Sequence, residues 1–416
     1  MILRIGFPVV LSFYFICAAA VAPAGDWPQI LGTQRDGVAV DEKLLSQWPK
    51  SGPEEIWRAK VGQGFAGVAV SNDVVYVFHR IGTSEIVEAR DASNGDPVWE
   101  QSFPCRYRGG VSSDTGPRCV PLVADGYVYV FGVGGALRCL SSSDGKQVWY
   151  RDTLKDFSPP DSYFGAGSTP VLYDGKLIVN VGGRKNAAVV AFSAADGKTI
   201  WKNISDAASY SSPVVADVNG TAHALVVSRN KMLSLNPTNG KVRISFPFGM
   251  RGPTVNGATP VVVGEHVFVS SSYRVGSVWA ALTNDAAKPQ RSGEKLLATQ
   301  YATPIRQNHL LFAVDGRQDV GSASIKCIDP RRQKVLWAKT GFDYGTMIRV
   351  NQELLLLTFG GELIRIAADP QNYRELQRAD VLSPAPRGYR LPAISNGRLF
   401  VRDSSVLKCL QVGESS

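Results

Sequence analysis

The sequence predicts an all-β fold, an eight-bladed propeller of four-stranded blades. Three observations carry that prediction. First, one phrase recurs: NGDPVW ends at Trp99, SDGKQVW at Trp149, ADGKTIW at Trp201 and RRQKVLW at Trp337, with a degenerate TNGKVRI ending at Ile244. The copies stand roughly 40 to 50 residues apart where adjacent, which is the period of propeller blades. Second, short runs rich in Val, Ile, Tyr and Phe dominate, such as VVYVF over residues 74–78 and YVYVF over 127–131, each bounded by Gly, Asp or Asn. Long amphipathic helical patterns are nearly absent, so the elements read as strands. Third, the two ends of the repeat array are each incomplete, and each lacks what the other has.

Taken in order, the chain opens with an export signal over residues 1–24. Arg4 is the charged flank, residues 5–16 are apolar, and Ala22-Pro23-Ala24 is the expected cleavage tripeptide. The apolar stretch is shorter than the ~20 residues of a membrane span. The residues before Cys17, Tyr14-Phe15-Ile16, lack the small side chains of a lipid-attachment site. The expectation is a periplasmic or secreted protein with no membrane span once the signal is removed. The formal charge of +9 suits solubility or an anionic partner, and export makes nucleic acid an unsuitable one.

Residues 25–53 are expected to form an extended arm lying on the surface. The EEIWRAKVG segment around Trp57 reads as an orphan fourth strand. Complete or partial units then follow over about 65–103, 119–149, 168–201, 211–244, 258–297, 302–337 and 347–376. An eighth unit begins at Leu391 and stops after LKCLQV, without a fourth strand. Joining the Trp57 segment to this last unit completes eight blades and closes a ring, which hides strand edges. Seven blades is the alternative. Residues 54–412 form a single domain and 413–416 a tail, and the protein is expected to be a monomer.

A lone four-stranded sheet leaves both faces wet. An indole buries ~150–250 Å² and finds an acceptor for its N–H. Trp57, Trp99, Trp149, Trp201 and Trp337 therefore read as structural wedges between blades. Asp144-Gly145, Asp196-Gly197 and Asn239-Gly240 supply the positive-φ turns of tight hairpins. Ten residues before a repeat Trp, or before Ile244, stand Ala89, Cys139, Ala191, Ser234 and Cys327, and Cys409 occupies the matching place in the last unit. That marks a small buried slot. Cys105 and Cys119 lie outside this register, in the connection after the first unit. In an oxidising compartment they are expected to form a disulfide.

The phrase of small residue, Asx-Gly-Lys and Trp resembles the repeat of pyrroloquinoline-quinone (PQQ)-type propellers. So do the opening DWPQILGTQRDGVAV and the following GPEEIWRAKVG. That superfamily includes the quinoprotein dehydrogenases and the non-catalytic outer-membrane assembly lipoproteins of BamB type. The sequence is more similar to the latter. Quinoprotein dehydrogenases generally use longer chains, adjacent cysteines beside the quinone and a metal held by carboxylate and amide ligands. This sequence has no adjacent cysteines, and no Glu–Asn–Asp set can be placed on it. The resemblance therefore implies a non-catalytic cell-envelope binding scaffold with no cofactor, metal site or catalytic residue. The alternative it leaves is a PQQ- and calcium-dependent dehydrogenase acting on an alcohol or sugar.

Strand alternation sorts the loops. Connections between blades and turns joining second to third strands share one face, and the remaining hairpin turns share the other. The first, the loop face, collects the long connections 101–118, 151–167, 246–257 and 378–390. The predicted binding residues there are Arg106, Arg108, Arg118, Tyr163, Arg184, Arg251, Arg274, Arg317, Tyr344 and Arg390. They form a basic, aromatic-flanked mouth suited to a carboxylate- or phosphate-bearing ligand or an envelope protein. The competing reading pairs these arginines with Asp114, Asp152, Asp161 and Asp319.

Overall fold

The computed structural model describes residues 25–110, 113–160, 165–252, 254–283, 289–384 and 391–414. The predicted signal and residues 415–416 lie outside them. The described residues form eight antiparallel four-stranded units arranged as propeller blades, spanning 69–104, 122–152, 171–203, 214–247, 261–292, 305–342, 345–380 and 393–411. Blade 8 takes its outermost strand from Glu54–Lys60, which pairs antiparallel with Val406–Gln411 and sets Trp57 opposite Cys409. The N-terminal segment thus closes the ring on the C-terminal blade. Second and third strands are covered on both faces and read as continuous apolar runs, as in Val74–Ile81. Outermost strands alternate between half-buried and exposed residues, as in Pro97–Pro104.

One contact recurs at successive seams. Within a blade, the outermost-strand Trp lies opposite the small slot: Trp99 opposite Ala89, Trp149 opposite Cys139, Trp201 opposite Ala191 and Trp337 opposite Cys327. The indole N–H then crosses to the next blade. Trp57 donates to the Ala92 carbonyl (3.0 Å), Trp99 to Ser142 (2.8 Å), Trp149 to Ala194 (2.8 Å), Trp201 to Pro237 (3.0 Å) and Trp337 to Asp369 (2.9 Å). The first four indoles also lie flat against the turn glycine of that blade. A Cβ on Gly145 would sit 2.5 Å from the Trp99 ring, and one on Gly240 2.4 Å from Trp201. The Asx-Gly turn therefore serves twice: its glycine takes φ near +71° and leaves room for the neighbour's indole.

Closing the ring does not remove every edge. Among the described residues the outer side of each outermost strand has no hydrogen-bonded neighbour, so the expectation of a circumference without free edges is corrected. The described residues show how these edges are blunted. Seven outermost strands carry a register shift at the residue before the Trp position, skipping Ile56, Val98, Val148, Ile200, Arg243, Leu336 and Leu376. A bulge at the same place in all but blade 5 twists the edge and spoils it as a template for another strand.

The arm is also not a surface strap. Trp27 exchanges backbone hydrogen bonds with Val70 in blade 1, and the Pro28 carbonyl accepts from Val123 in blade 2. The Arg35 guanidinium reaches the carbonyls of Pro170 (2.7 Å) and Thr169 (3.0 Å) in front of blade 3. Val38–Ala39 then pairs in parallel with Arg349–Val350 of blade 7, and the Glu42 carboxylate accepts from the backbone of Asn396 and Gly397 in blade 8. Contacts with innermost strands on opposite sides of the ring lay the arm across the propeller axis, at its hairpin end. Trp27, Leu31 and Arg35 are buried there.

Beyond the axis, the arm reaches the seam between blades 7 and 8. In blade 7 the Trp position is held by Gln377, and the small slot facing it by Arg365. Gln377 instead grips the backbone of Trp48, accepting from its N–H (3.0 Å) and donating to its carbonyl (3.1 Å). Trp48 is 2% exposed, and its indole N–H donates to Val412 (3.3 Å). Val412 lies three residues past the small-slot Cys409, as Ala92 lies past Ala89 and Ser142 past Cys139. The arm thus delivers to this seam the wedge that blade 7 lacks.

Candidate functional site

The loop face is built from the connections between blades and the turns joining second to third strands. Its cations divide by depth. Arg106 and Arg108 on the blade 1–2 connection, Arg184 and Lys185 on a blade 3 turn, Arg251 on the blade 4–5 connection and Arg274 on a blade 5 turn are exposed. Arg274 is in the left-handed region (φ +65°), and its N–H donates to Glu294 (2.7 Å), which fixes the turn that presents it. Arg184 is placed by its backbone N–H donating to the Phe157 carbonyl (2.8 Å).

Other cations of this face are engaged by their own loops. The Arg118 side chain is 8% exposed and pairs with Asp114. It donates to the carbonyls of Gly116 and Asp114 and covers the Phe65 ring. Burial lowers its pKa. Arg118 therefore clamps its own loop. Arg317 pairs with Asp319 and stacks on Tyr273 (4.2 Å to the ring centre); the Asp319 carboxylate raises its pKa. Arg229 is buried and holds the carbonyls of Thr254 and Gly252. For Arg118 and Arg317 the internal-pairing reading describes the structure.

Tyr344 is likewise withdrawn. It is 3% exposed, and its hydroxyl accepts from the backbone N–H groups of Tyr301 and Ala302 (both 2.9 Å) and bonds to Thr299 (2.8 Å). Burial pushes its hydroxyl up to about 12. It pins the blade 5–6 connection against blade 7. Tyr163 and Arg390 lie outside the described residues.

The expected disulfide is absent: Cys105 and Cys119 are free, buried thiols. Each has its own surroundings. The Cys119 sulfur accepts from the Phe131 N–H (3.3 Å) within the apolar core, and burial raises its pKa to about 12. The Cys105 sulfur accepts from the Arg80 guanidinium (3.6 Å), and burial raises its pKa also.

Between blades 2, 3 and 4 the loop face opens into a cavity of about 170 Å³, lined by Tyr107, Val133, Val181, Ala208 and Arg229 among others, with Asn180 in its wall. Asn180 was not singled out from the sequence. The signal it leaves there is one amide inside the apolar run LIVNV. Among the described residues, no group of three or more His, Cys, Asp or Glu could hold a metal ion. The arm fills the hairpin end of the axis. No helix among the described residues is long and apolar enough to cross a membrane.

Comparison with known proteins gives concordant findings. The family described as "Outer membrane protein assembly factor BamB" matches residues 38–159 and 83–339. A curated relative, the outer membrane protein assembly factor BamB of Burkholderia pseudomallei (strain K96243), is 28% identical over 276 residues. That match covers 62% of this chain and 64% of the relative, just under two thirds of its length. Among solved structures, BamB from Moraxella catarrhalis superposes with a TM-score of 0.62 at 13% identity, covering 86% of this chain and 97% of that one. Quinohemoprotein alcohol dehydrogenase from Comamonas testosteroni gives 0.58 at 15% identity, covering 96% and 82%. At these identities the two structures speak for the fold alone.

Proposed function

Because this chain belongs to the family of the outer membrane protein assembly factor BamB, we propose that it is a non-catalytic scaffold of the cell envelope that takes part in outer membrane protein assembly. Its working surface is the loop face, and its partner is an envelope protein presenting acidic groups to Arg184, Arg251 and Arg274. Family membership carries this reading. The exposed cations support the choice of the loop face, since Arg forks suit carboxylates and rim charges steer encounter. Export to the periplasm and a cofactor-free state belong to the same proposal.

The test is retention of envelope proteins by the immobilised full chain, before and after Arg184, Arg251 and Arg274 are all changed to alanine. Loss of a retained protein, with unchanged thermal stability, is expected. An unaltered set of retained proteins overturns the assignment of this face. Adding PQQ and calcium is expected to produce no dye reduction with alcohols; turnover would sink the scaffold reading.

A further inference from the structure

The hairpin end of the ring carries its charge unevenly. In blades 2 and 3 the turn between third and fourth strands neutralises itself: Lys146 and Lys198 each pair with the aspartate two residues earlier, Asp144 and Asp196 (2.7 Å in both). Blades 6 and 7 keep a cation at that place, Lys334 and Arg374, but the aspartate is replaced by Arg332 and Asn372. Arg331 stands on the same blade 6 turn, and Arg306 leads into the other hairpin turn of that blade. All five cations are exposed. Arg332 approaches Asp329 at 3.7 Å, and the other four make no salt bridge among the described residues.

The acids of this sector are engaged elsewhere. Asp329 caps its own turn by accepting from the Arg332 N–H (3.0 Å), and Asp369 accepts from the Gln371 N–H (2.8 Å). Asp36 of the arm is attracted by Arg306 and Arg349 together, one carboxylate between two guanidiniums. Unmatched charge of one sign draws a partner of the other. The sector also holds a cleft of about 600 Å³ between the arm and blade 7, lined by Ser46, Gln47, Gln352, Glu353, Arg365 and Arg374 among others. Clefts of this size take ligands. Arg365 spends its donors on Glu353 and the Leu45 carbonyl, which leaves Arg374 as the cation the cleft offers. Among the described residues, these turns expose no large apolar side chain. A bilayer surface is held by charge together with buried apolar groups, and a flat headgroup layer does not enter a cleft. A polypeptide does.

We propose that the hairpin end of blades 6 and 7 is a second docking site, which takes an acidic polypeptide segment. One carboxylate meets Arg374 in the cleft, and others lie over Arg332, Lys334 and Arg306. The site is at the opposite end of the ring from Arg184, Arg251 and Arg274, and it stands whether or not the loop face binds a partner. One ring then holds two chains at once.

The probe is hexa-aspartate carrying a photo-crosslinker, mixed with the full chain at low salt, with adducts located by mass spectrometry. We expect adducts on the hairpin turns of blades 6 and 7 and on residues 43–50 of the arm, and none there with hexa-asparagine. Changing Arg306, Arg332 and Arg374 together to alanine should reduce these adducts at least about tenfold. Thermal stability should not change, because all three side chains are exposed. The loop-face variant, with Arg184, Arg251 and Arg274 changed to alanine, loses the same charge and should keep these adducts. Equal loss in the two variants means that the peptide reads net charge alone, and overturns the proposal. Adducts confined to other parts of the ring overturn it too, as do equal adducts from hexa-asparagine. Adducts on the loop face report on the loop-face reading alone, so either reading can fail without the other. Vesicles of phosphatidylglycerol that sediment the unaltered chain but not the Arg306, Arg332 and Arg374 variant, with no hexa-aspartate adduct on blades 6 and 7, assign the patch to a membrane surface and overturn the polypeptide assignment.

Discussion

The seams running from blade 8 through blade 4 and the seam between blades 7 and 8 solve one packing problem with tryptophans from different parts of the chain. In the first group the wedge comes from the outermost strand of the preceding blade: Trp57, Trp99, Trp149 and Trp201 each donate to a carbonyl of the next. In the second, Gln377 stands where the wedge belongs, and Trp48 arrives from an arm far away in sequence. The small slot differs as well, because a buried Arg365 replaces Ala or Cys. Its charge is met by Glu353 and its remaining donors by the Leu45 and Ser46 carbonyls of the arm. In these seams an indole sits over a particular carbonyl, and the chain segment that brings it is free to vary; blade 4 instead carries Ile244 at the wedge position.

The sharpest way to break this equivalence is to remove a wedge from each kind of seam. Trp149→Ala and Trp48→Ala should each lower unfolding free energy by about 3–5 kcal/mol, read from urea midpoints. If the arm were an ornament, Trp48→Ala would cost under about 1 kcal/mol, and that result would end the comparison. Gln377→Ala should follow in the same direction at about 1–3 kcal/mol, because it leaves the buried Trp48 backbone without its partners.

Acid should separate the seams next. His79 lies at the join of blades 8 and 1, where the Gly62 N–H donates to its Nδ1 (2.7 Å). Its proton therefore sits on Nε2, 3.5 Å from a Glu88 carboxylate that Arg90 already neutralises. Burial, then the cations Arg402 and Arg90, lowers its pKa from 6.5 to about 3. Between those values the unfolded chain binds a proton that the folded chain refuses. Stability is thus present above pH 6.5, falls as pH drops toward about 3, and is level below that. The slope should approach ~1.4 kcal/mol per pH unit at its steepest. His79→Gln should flatten it. Hydrogen exchange at pH 4.5 should show the blade 8–1 join opening before the arm-held seam; the reverse order would argue against this assignment.

The turn glycine offers a smaller and cleaner contrast. Gly145→Ala meets both a positive φ of +71° and the Trp99 ring 2.5 Å away, whereas Gly175→Ala meets φ +68° and nothing within 4 Å. We expect about 2–3 kcal/mol for the first and about 1 kcal/mol for the second. The difference measures the indole contact free of backbone strain. Equal losses would mean that the wedge yields.

These contrasts show what the sequence could carry. Trp57, Trp99, Trp149, Trp201 and Trp337 repeat with their turns and small slots, and from them blade number and ring closure were legible. Trp48 was not, because it stands outside any repeat and its counterpart Gln377 does not look like a wedge. The arm hid its course for a similar reason: nothing local in Trp27 or Arg35 names a partner on the far side of the axis. At the loop face, strand alternation assigns a residue to a side of the ring but not to a depth. Arg118 and Tyr344 share a side with Arg184 and Arg251, yet they turn inward to backbone groups. Cys105 and Cys119 were paired by compartment and elimination, and those arguments contain no distance.

The smallest effect concerns the blunted edges, where stapled and unstapled blades behave alike. Each bulge pushes the residue before the wedge position outward, and Val98, Val148 and Ile200 are about half exposed there (53%, 48% and 46%). These apolar side chains invite reading as a contact surface. Blade 4 argues otherwise, since it holds Arg243 at the same bulge and keeps the same four-stranded pairing. The position thus answers to backbone geometry and asks little of its side chain. Val148→Arg should change unfolding free energy by no more than about 0.5 kcal/mol and leave the protein's solution mass, read by light scattering, unchanged. A larger loss would mean that the bulge in a wedge-bearing blade depends on its apolar residue in a way that blade 4 does not, and the shared register would then conceal two different edges.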